Sequence, residues 1–324
     1  MKRFTLSFAV AATAAVLSAP SFAQTKWDLP TGYSAGSFQT ENVQQFANDV
    51  DKATAGKLKI TLHPNGSLYK ANEIKRAVQT GQTQAGEFLL SGVANENPLF
   101  GVDSVPFLAT GYAQSRKLYV AAKPGLEKLL ASQGMKLLFS VPWPGQSLYS
   151  VKEIKTPDDL RGTKMRAYNP ATTRIAQLLK AQPTTIQLAE LGQALATGTV
   201  ENFLTSSASG VENKLFEQTK FFYTVNAWLP RNATVVSQKA FDALEKPAQE
   251  ALLKAALEAE VRGWKTSEQK DGEFVKELAA KGMKIAQPSD TLRNELQSIG
   301  QTMTTDWIKS AGADGIAVVE AYRK

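Results

Sequence analysis

Apolar residues recur every three to four positions from Ser37 to Ala53, with Val43, Phe46, Ala47 and Val50 on one stripe, and that spacing predicts a helix. Gly56 ends it. Residues 57–63 then alternate apolar and polar, as a half-buried strand does, and Pro64, Asn65 and Gly66 supply a turn. An opening strand is expected over 26–33, a helix over 72–80 stopped by Gly81, and a strand over 87–91 in which Glu87, Leu89 and Ser91 share a face. Strand, helix, strand, helix, strand is the rhythm of a mostly parallel α/β sheet. A helix over 124–132 closed by Gly134, a strand over 136–141 and a crossover at 142–146 follow. Residues 221–225 and 233–237 read as paired strands returning to the first half, which makes the cores discontinuous in sequence. From 247 to 281 the helical pattern is longer than one ordinary globular helix, with Gly263 and Gly272 as weak points, and the tail from Ser289 is helical with Leu292, Leu296 and Ile299 on one face.

Between these halves, residues 156–207 carry the most readable chemistry. Thr156, Pro157, Asp158 and Asp159 form a helix start, with an N-cap, a proline in the first turn and acids at the positive end of the dipole. Gly162 stops it early. Residues 164–168 read as a short strand whose polar exit at Asn169 and Pro170 leads into a helix with Ile175, Leu178 and Leu179 on one side. Arg166 lies just inside that strand, where the mouth of an α/β crevice binds ligands. An equal alternative, on spacing alone, is a surface pair with Glu153 or Asp159 worth roughly 0–1 kcal/mol.

Composition narrows the classes. Lys2 and Arg3 precede an apolar run to Ala19, and Ser21, Phe22 and Ala23 complete the pattern of a secretory signal peptide over 1–23. The run is short for a membrane span and dotted with Ala, Ser and Thr. Its removal takes away two cations and no acid, so the formal charge falls from +7 to +5. The remaining chain suffices for two ordinary domains. Cysteine is absent from all 324 residues, which excludes disulfides and thiol catalysis. The positive charge forms no basic block, so nucleic acid is not an expected partner. One histidine, His63, on the polar side of a strand, leaves no triad, zinc site or imidazole base to build, and no phosphate loop or nucleophile elbow is present. Neither a cofactor nor a metal is expected. Asn65 and Asn232 begin Asn-X-Ser/Thr sequons, which carry little weight in a bacterial export context.

The stretch DLRGTKMRAYN (159–169) is similar to the "DLKGLKIRVPN" pattern of the solute receptors of TRAP transporters, which hand organic acids to a sodium-coupled permease. LAELGQALATGTVEN (188–202), the block at 53–86 and VDSVPFLATGY (102–112) resemble further blocks of that family in the same order. The resemblance implies a two-domain α/β fold of the periplasmic-binding-protein kind, with a hinge and a long helix, 247–281, spanning both domains. Domain I would comprise 24–143 with about 232–262, and domain II 144–231 with about 263–324. Arg166 falls on the family's carboxylate-binding arginine, whose planar guanidinium grips both oxygens of an acid.

Two departures from the pattern matter. Where sialic-acid receptors of the family carry a second arginine, this chain has Ser147 beside Gln146, and Thr205 replaces an asparagine. Tyr33, Phe38, Trp143, Tyr168, Phe203 and Trp228 fall at or next to ligand-facing positions of the family, which suggests an apolar, flat pocket. Glu87, Leu89 and Ser91 match its pocket-side strand face, Tyr69 and Lys70 would close an edge, and Asn169 ends the arginine motif. The expectation is a periplasmic receptor, not an enzyme, that closes around one small organic monocarboxylate for delivery to TRAP permease subunits. An aromatic or hydrophobic acid, 2-oxo and 2-hydroxy acids included, is favoured. The alternatives are a short aliphatic 2-oxo acid, a sensing domain for a signalling partner and, last, an exported hydrolase or lyase using Glu87 or Glu201 as base.

Overall fold

The structure, a computed structural model, describes residues 24–324, so the expected signal peptide over 1–23 lies outside the described residues. The first half of the chain supplies β1 (Thr25–Pro30), α1 (Phe38–Ala53), β2 (Leu58–His63), α2 (Ile74–Gln79), β3 (Ala85–Leu89), α3 (Tyr112–Ser132) and β4 (Met135–Pro142). Next come β5 (Ser147–Ser150), β6 (Lys164–Ala167), α4 (Pro170–Leu178), β7 (Gln182–Thr185), α5 (Leu191–Ala196), β8 (Asn202–Thr205), α6 (Ser207–Glu212) and β9 (Phe221–Tyr223). The chain ends with β10 (Arg231–Ser237), α7 (Gln238–Asp242), α8 (Lys246–Ala280), β11 (Lys284–Ala286) and α9 (Asp290–Arg323).

Two sheet systems result. On one side β1 pairs in parallel with β2, next to a three-stranded antiparallel sheet of order β3-β10-β4. On the other, six strands run β11-β9-β5-β8-β6-β7. Each buries its own clusters: Phe46, Val50, Leu58 and Phe139 under the first, Leu148, Met165, Leu204 and Trp228 under the second. The chain crosses between them side by side at 142–147 and 226–231, where Trp143 N–H donates to the Pro230 carbonyl at 2.8 Å and Gln146 N–H to the Trp228 carbonyl at 2.8 Å.

α8 is one helix of 35 residues, as the family resemblance implied although its length made a single helix suspect, and it serves both sides. Leu252, Ala255 and Ala259 pack with α1, and Leu278 packs below β5 and β9. Gly263 is not a weak point but a close approach, because a Cβ there would run into the Val141 side chain of β4, whereas Gly272 faces open space. α9 is likewise shared. Leu292, Leu296, Ile299 and Met303 pack with the six-stranded sheet, while Trp307 and, past a break at Gly312 with φ 59°, Val318 and Val319 pack with the first sheet system.

Three expectations need correction. α3 begins at Tyr112 rather than Pro124; Leu118, Tyr119, Ala122, Leu126 and Leu130 form a continuous buried stripe, whose packing outweighs the one backbone bond that Pro124 cannot make. β9 and β10 are not a pair but belong to different sheets, since alternation reveals a strand and not its neighbour. β3 stops at Leu89, and Ser91 lies in a single 3-10 turn, off the face expected for it.

Candidate functional site

Between the two sheet systems lies a cavity of about 320 Å³. Arg166 reaches it from β6, held in register between Thr184 of β7 and Phe203 of β8. The side chain is only 3% exposed, its Nε donates to the Ile186 carbonyl at 2.9 Å, and its guanidinium lies 4.9 Å from the centre of the Tyr168 ring. The surface pair is excluded. Asp159 accepts from the backbone N–H groups of Lys155 and Thr156, and Glu153 pairs with Lys155. Among the described residues no carboxylate neutralises Arg166, and burial pushes its pKa down to about 10. A buried cation without an anion is a site awaiting one.

The facing wall is a closed hydrogen-bond network. Asn232 on β10 accepts at Oδ1 from Tyr33 Oη (3.1 Å) and Trp143 Nε1 (3.0 Å), and its Nδ2 donates to Glu87 Oε1 (3.1 Å). Thr31 Oγ1 donates to the other oxygen, Glu87 Oε2, at 2.5 Å. Glu87 on β3 is 1% exposed, and burial, opposed by these two bonds, raises its pKa. Tyr33 and Trp143 lie 4.9 Å apart at 56° and make the apolar part of this wall with Leu89. Behind Arg166, Tyr168 Oη donates to Gln146 Oε1 at 2.9 Å, and burial raises the phenol's pKa.

Of the sequence candidates, Arg166, Tyr33, Lys70, Glu87, Leu89, Trp143, Gln146, Tyr168 and Thr205 line the cavity. Six do not. Phe38 sits beneath Trp143, edge-on at 5.2 Å. Phe203 shares the face of Thr205 but lies one alternate position down β8, stacked on Tyr149 at 4.9 Å in the core. Trp228 is fully buried in the cluster behind Tyr168, and Tyr69 packs in the cluster of Phe100 and Leu99. Asn169 caps α4, accepting from Thr172 N–H at 2.8 Å, and its Nδ2 donates to Ser91 Oγ at 2.9 Å, so each occupies the other. Phe38, Phe203 and Trp228 took the space under the walls rather than the walls themselves.

Sequence reasoning missed the turn Gln187, Leu188, Ala189 and Glu190 between β7 and α5, and Ser209 and Pro230, which also line the cavity. It also missed Thr31 and Asn232, which hold the wall from behind. Asn232 had a usable signal: a polar side chain inside an apolar strand must find buried partners. His63 pairs with Asp28 at 2.7 Å, half-exposed and away from the cavity, and Glu201 faces Lys152 at 3.6 Å. Among the described residues no cluster of acids and histidine fits a metal ion, and no helix is long and apolar enough to cross a membrane.

Two α/β sheet systems joined by paired crossings, with a buried unpaired cation in the cleft between them, define a two-domain solute-binding protein. The chain belongs to the family described as "Bacterial extracellular solute-binding protein, family 7", whose model matches residues 31–310. It is similar to DctP6, a Bordetella pertussis extracytoplasmic solute receptor binding pyroglutamic acid, with 53% identity and a TM-score of 0.91 over 92% of this chain and 99% of that one. A marine metagenome TRAP solute binding protein specific for pyroglutamate is 43% identical, with a TM-score of 0.91 over 93% and 99%. The 2,3-diketo-L-gulonate-binding periplasmic protein YiaO of Escherichia coli is 25% identical over 88% of this chain and 83% of its own. The expected relationship to TRAP solute receptors is thereby established, as is the two-domain α/β fold with its long helix.

Proposed function

We propose that this TRAP solute receptor binds a small cyclic monocarboxylate, pyroglutamate or a near analogue, in the cleft and delivers it to a membrane permease from the periplasm, without chemical turnover. The observation that carries the reading is the buried guanidinium of Arg166, which no carboxylate neutralises among the described residues, whereas the buried Arg231 faces Asp103. Arg166 matches one carboxylate; a second would stay buried and uncompensated, since the other cation of the lining, Lys70, is exposed to solvent, as is Glu190. The single histidine is elsewhere, so the ligand meets no imidazole.

The wall also bears on ligand size. With Phe38, Phe203 and Trp228 withdrawn, the expected aromatic surface shrinks to Tyr33, Trp143 and Tyr168, beside the aliphatic Leu89, Val93, Leu188 and Pro230, and Glu87 adds a polar floor. A cavity of about 320 Å³ is at the small end of ligand pockets. Both favour a compact, partly polar ring over the larger aromatic or hydrophobic acids that the sequence alone suggested, and the similarity to two pyroglutamate receptors supports the same choice. In this reading the cleft divides domain I (24–143 with about 232–262) from domain II (144–231 with about 263–324), the crossings at 142–147 and 226–231 forming the hinge and α9 packing against both.

Calorimetric titration with pyroglutamate, phenylpyruvate, pyruvate and succinate tests the reading, pyroglutamate binding most tightly. Binding of succinate alone would overturn it. Small-angle scattering should show the radius of gyration shrink on saturation, and an unchanged radius would remove the hinge.

A further inference from the structure

The feature that the carboxylate anchor leaves unused is Glu87. It sits on the wall opposite Arg166, fully buried, and no cation pairs with it among the described residues. Both its oxygens receive donors, Thr31 at one and Asn232 at the other. The Asn232 amide cannot turn round, because its carbonyl oxygen already serves Tyr33 and Trp143. Glu87 is therefore fixed in orientation with its remaining hydrogen-bonding capacity directed into the cavity.

We propose that Glu87 acts as a neutral carboxylic acid that reads a cis-amide edge of the ligand through two parallel hydrogen bonds, its O–H to the amide carbonyl and its own carbonyl from the amide N–H. This rests on the reading of the ligand as pyroglutamate, whose ring holds the amide cis, so that N–H and C=O lie on one edge. The charges then balance: the ligand carboxylate neutralises Arg166, and the acid and the lactam are both neutral. An ionised Glu87 would leave a buried anion unpaired beside an anionic ligand. Burial, which raises the Glu87 pKa, acts in the same direction. The groups facing Glu87 do not supply another charge for it. Tyr33 donates to Asn232, Arg166 and Tyr168 stand on the far wall, and Lys70 and Glu190 stand at the mouth. On α2, Lys75 is held by Glu96, and on β10, Arg231 faces Asp103.

Two substitutions and two ligands test this, with Kd from titration and melting to verify folding. Glu87→Gln keeps a donor and an acceptor on one edge and should bind pyroglutamate within about tenfold of the parent, whereas Glu87→Leu should lose more than about a hundredfold. The parent's affinity should fall tenfold per pH unit above the Glu87 pKa, and the Gln variant's should stay flat. On the unaltered protein, 5-oxotetrahydrofuran-2-carboxylate, which lacks the N–H, and L-proline, which lacks the carbonyl, should each bind at least about tenfold more weakly than pyroglutamate. Equal losses in Gln and Leu variants, or a preference for L-proline, overturn the neutral-acid role while leaving the ligand reading intact. Failure of the unaltered protein to bind pyroglutamate, with another monocarboxylate bound instead, overturns the ligand reading and this role with it.

Discussion

The two walls of the cleft solve opposite problems. On the β3 and β10 side, Glu87, Asn232, Tyr33, Trp143 and Thr31 satisfy one another before any ligand arrives. On the β6 side, Arg166 spends one donor on the Ile186 carbonyl and lacks a counter-charge. The first wall is a preorganised template, and the second holds the unspent electrostatic energy that an acid releases on binding. The contrast teaches that the charge that draws the ligand in and the bonds that hold the fold are lodged in different walls, and single substitutions can separate them.

The largest expected effect is on the unspent side. Arg166→Ala should weaken ligand binding by about 2–5 kcal/mol, as loss of one member of a buried charge pair does. The ligand-free variant should melt no lower than the parent, since burial without an anion already disfavours the charge. Calorimetry with differential scanning checks both halves, and an equal loss of stability and affinity would erase the distinction between the walls.

Asn232→Leu should do the reverse, costing about 2–4 kcal/mol of folding stability by orphaning the Tyr33 hydroxyl, the Trp143 N–H and one oxygen of Glu87. Chemical denaturation measures it. A variant as stable as the parent would show that the network is not structural.

A third test lies at the edge of the cleft, where Glu212 of α6 accepts from the Phe38 N–H at the start of α1 at 2.9 Å. Burial raises its pKa from 4.5 to about 7. The unfolded chain therefore releases this proton first, and stability falls as pH rises from about 4.5 through 7. Glu212→Gln should remove about 2–3 kcal/mol of that decline. Melting temperatures of both proteins from pH 5 to 8 should diverge upward for the variant, and parallel curves would contradict the assignment. Smallest of all, His63→Ala breaks the half-exposed contact with Asp28 outside both walls and should change stability by less than about 1 kcal/mol. A larger change in denaturant midpoint would mean that β1 and β2 depend on it.

Local grammar was enough for much of the chain. The stripe of α1, the alternation of β2, the Thr156 start, β6 with Arg166 at its end and the 35-residue α8 were all legible, because each is set by spacing, caps and turn residues within a few positions. What only the tertiary structure decided was which neighbour each element found. β10 lies between β3 and β4, and that long-range pairing puts Asn232 diagonally across from Glu87 on a common face. Phe38, Phe203 and Trp228 went beneath the walls because aromatic residues near a cleft lower the free energy most where they are fully covered, and depth along a strand is not written in its alternation. Pro124 looked like a beginning because its missing N–H costs least there, yet the buried stripe running past it in α3 gains more than that bond. Sequence determined the elements and the anchoring charge; packing between distant segments decided the shape of the cavity around that charge, since burial energy depends on what lies opposite, and no local pattern records it.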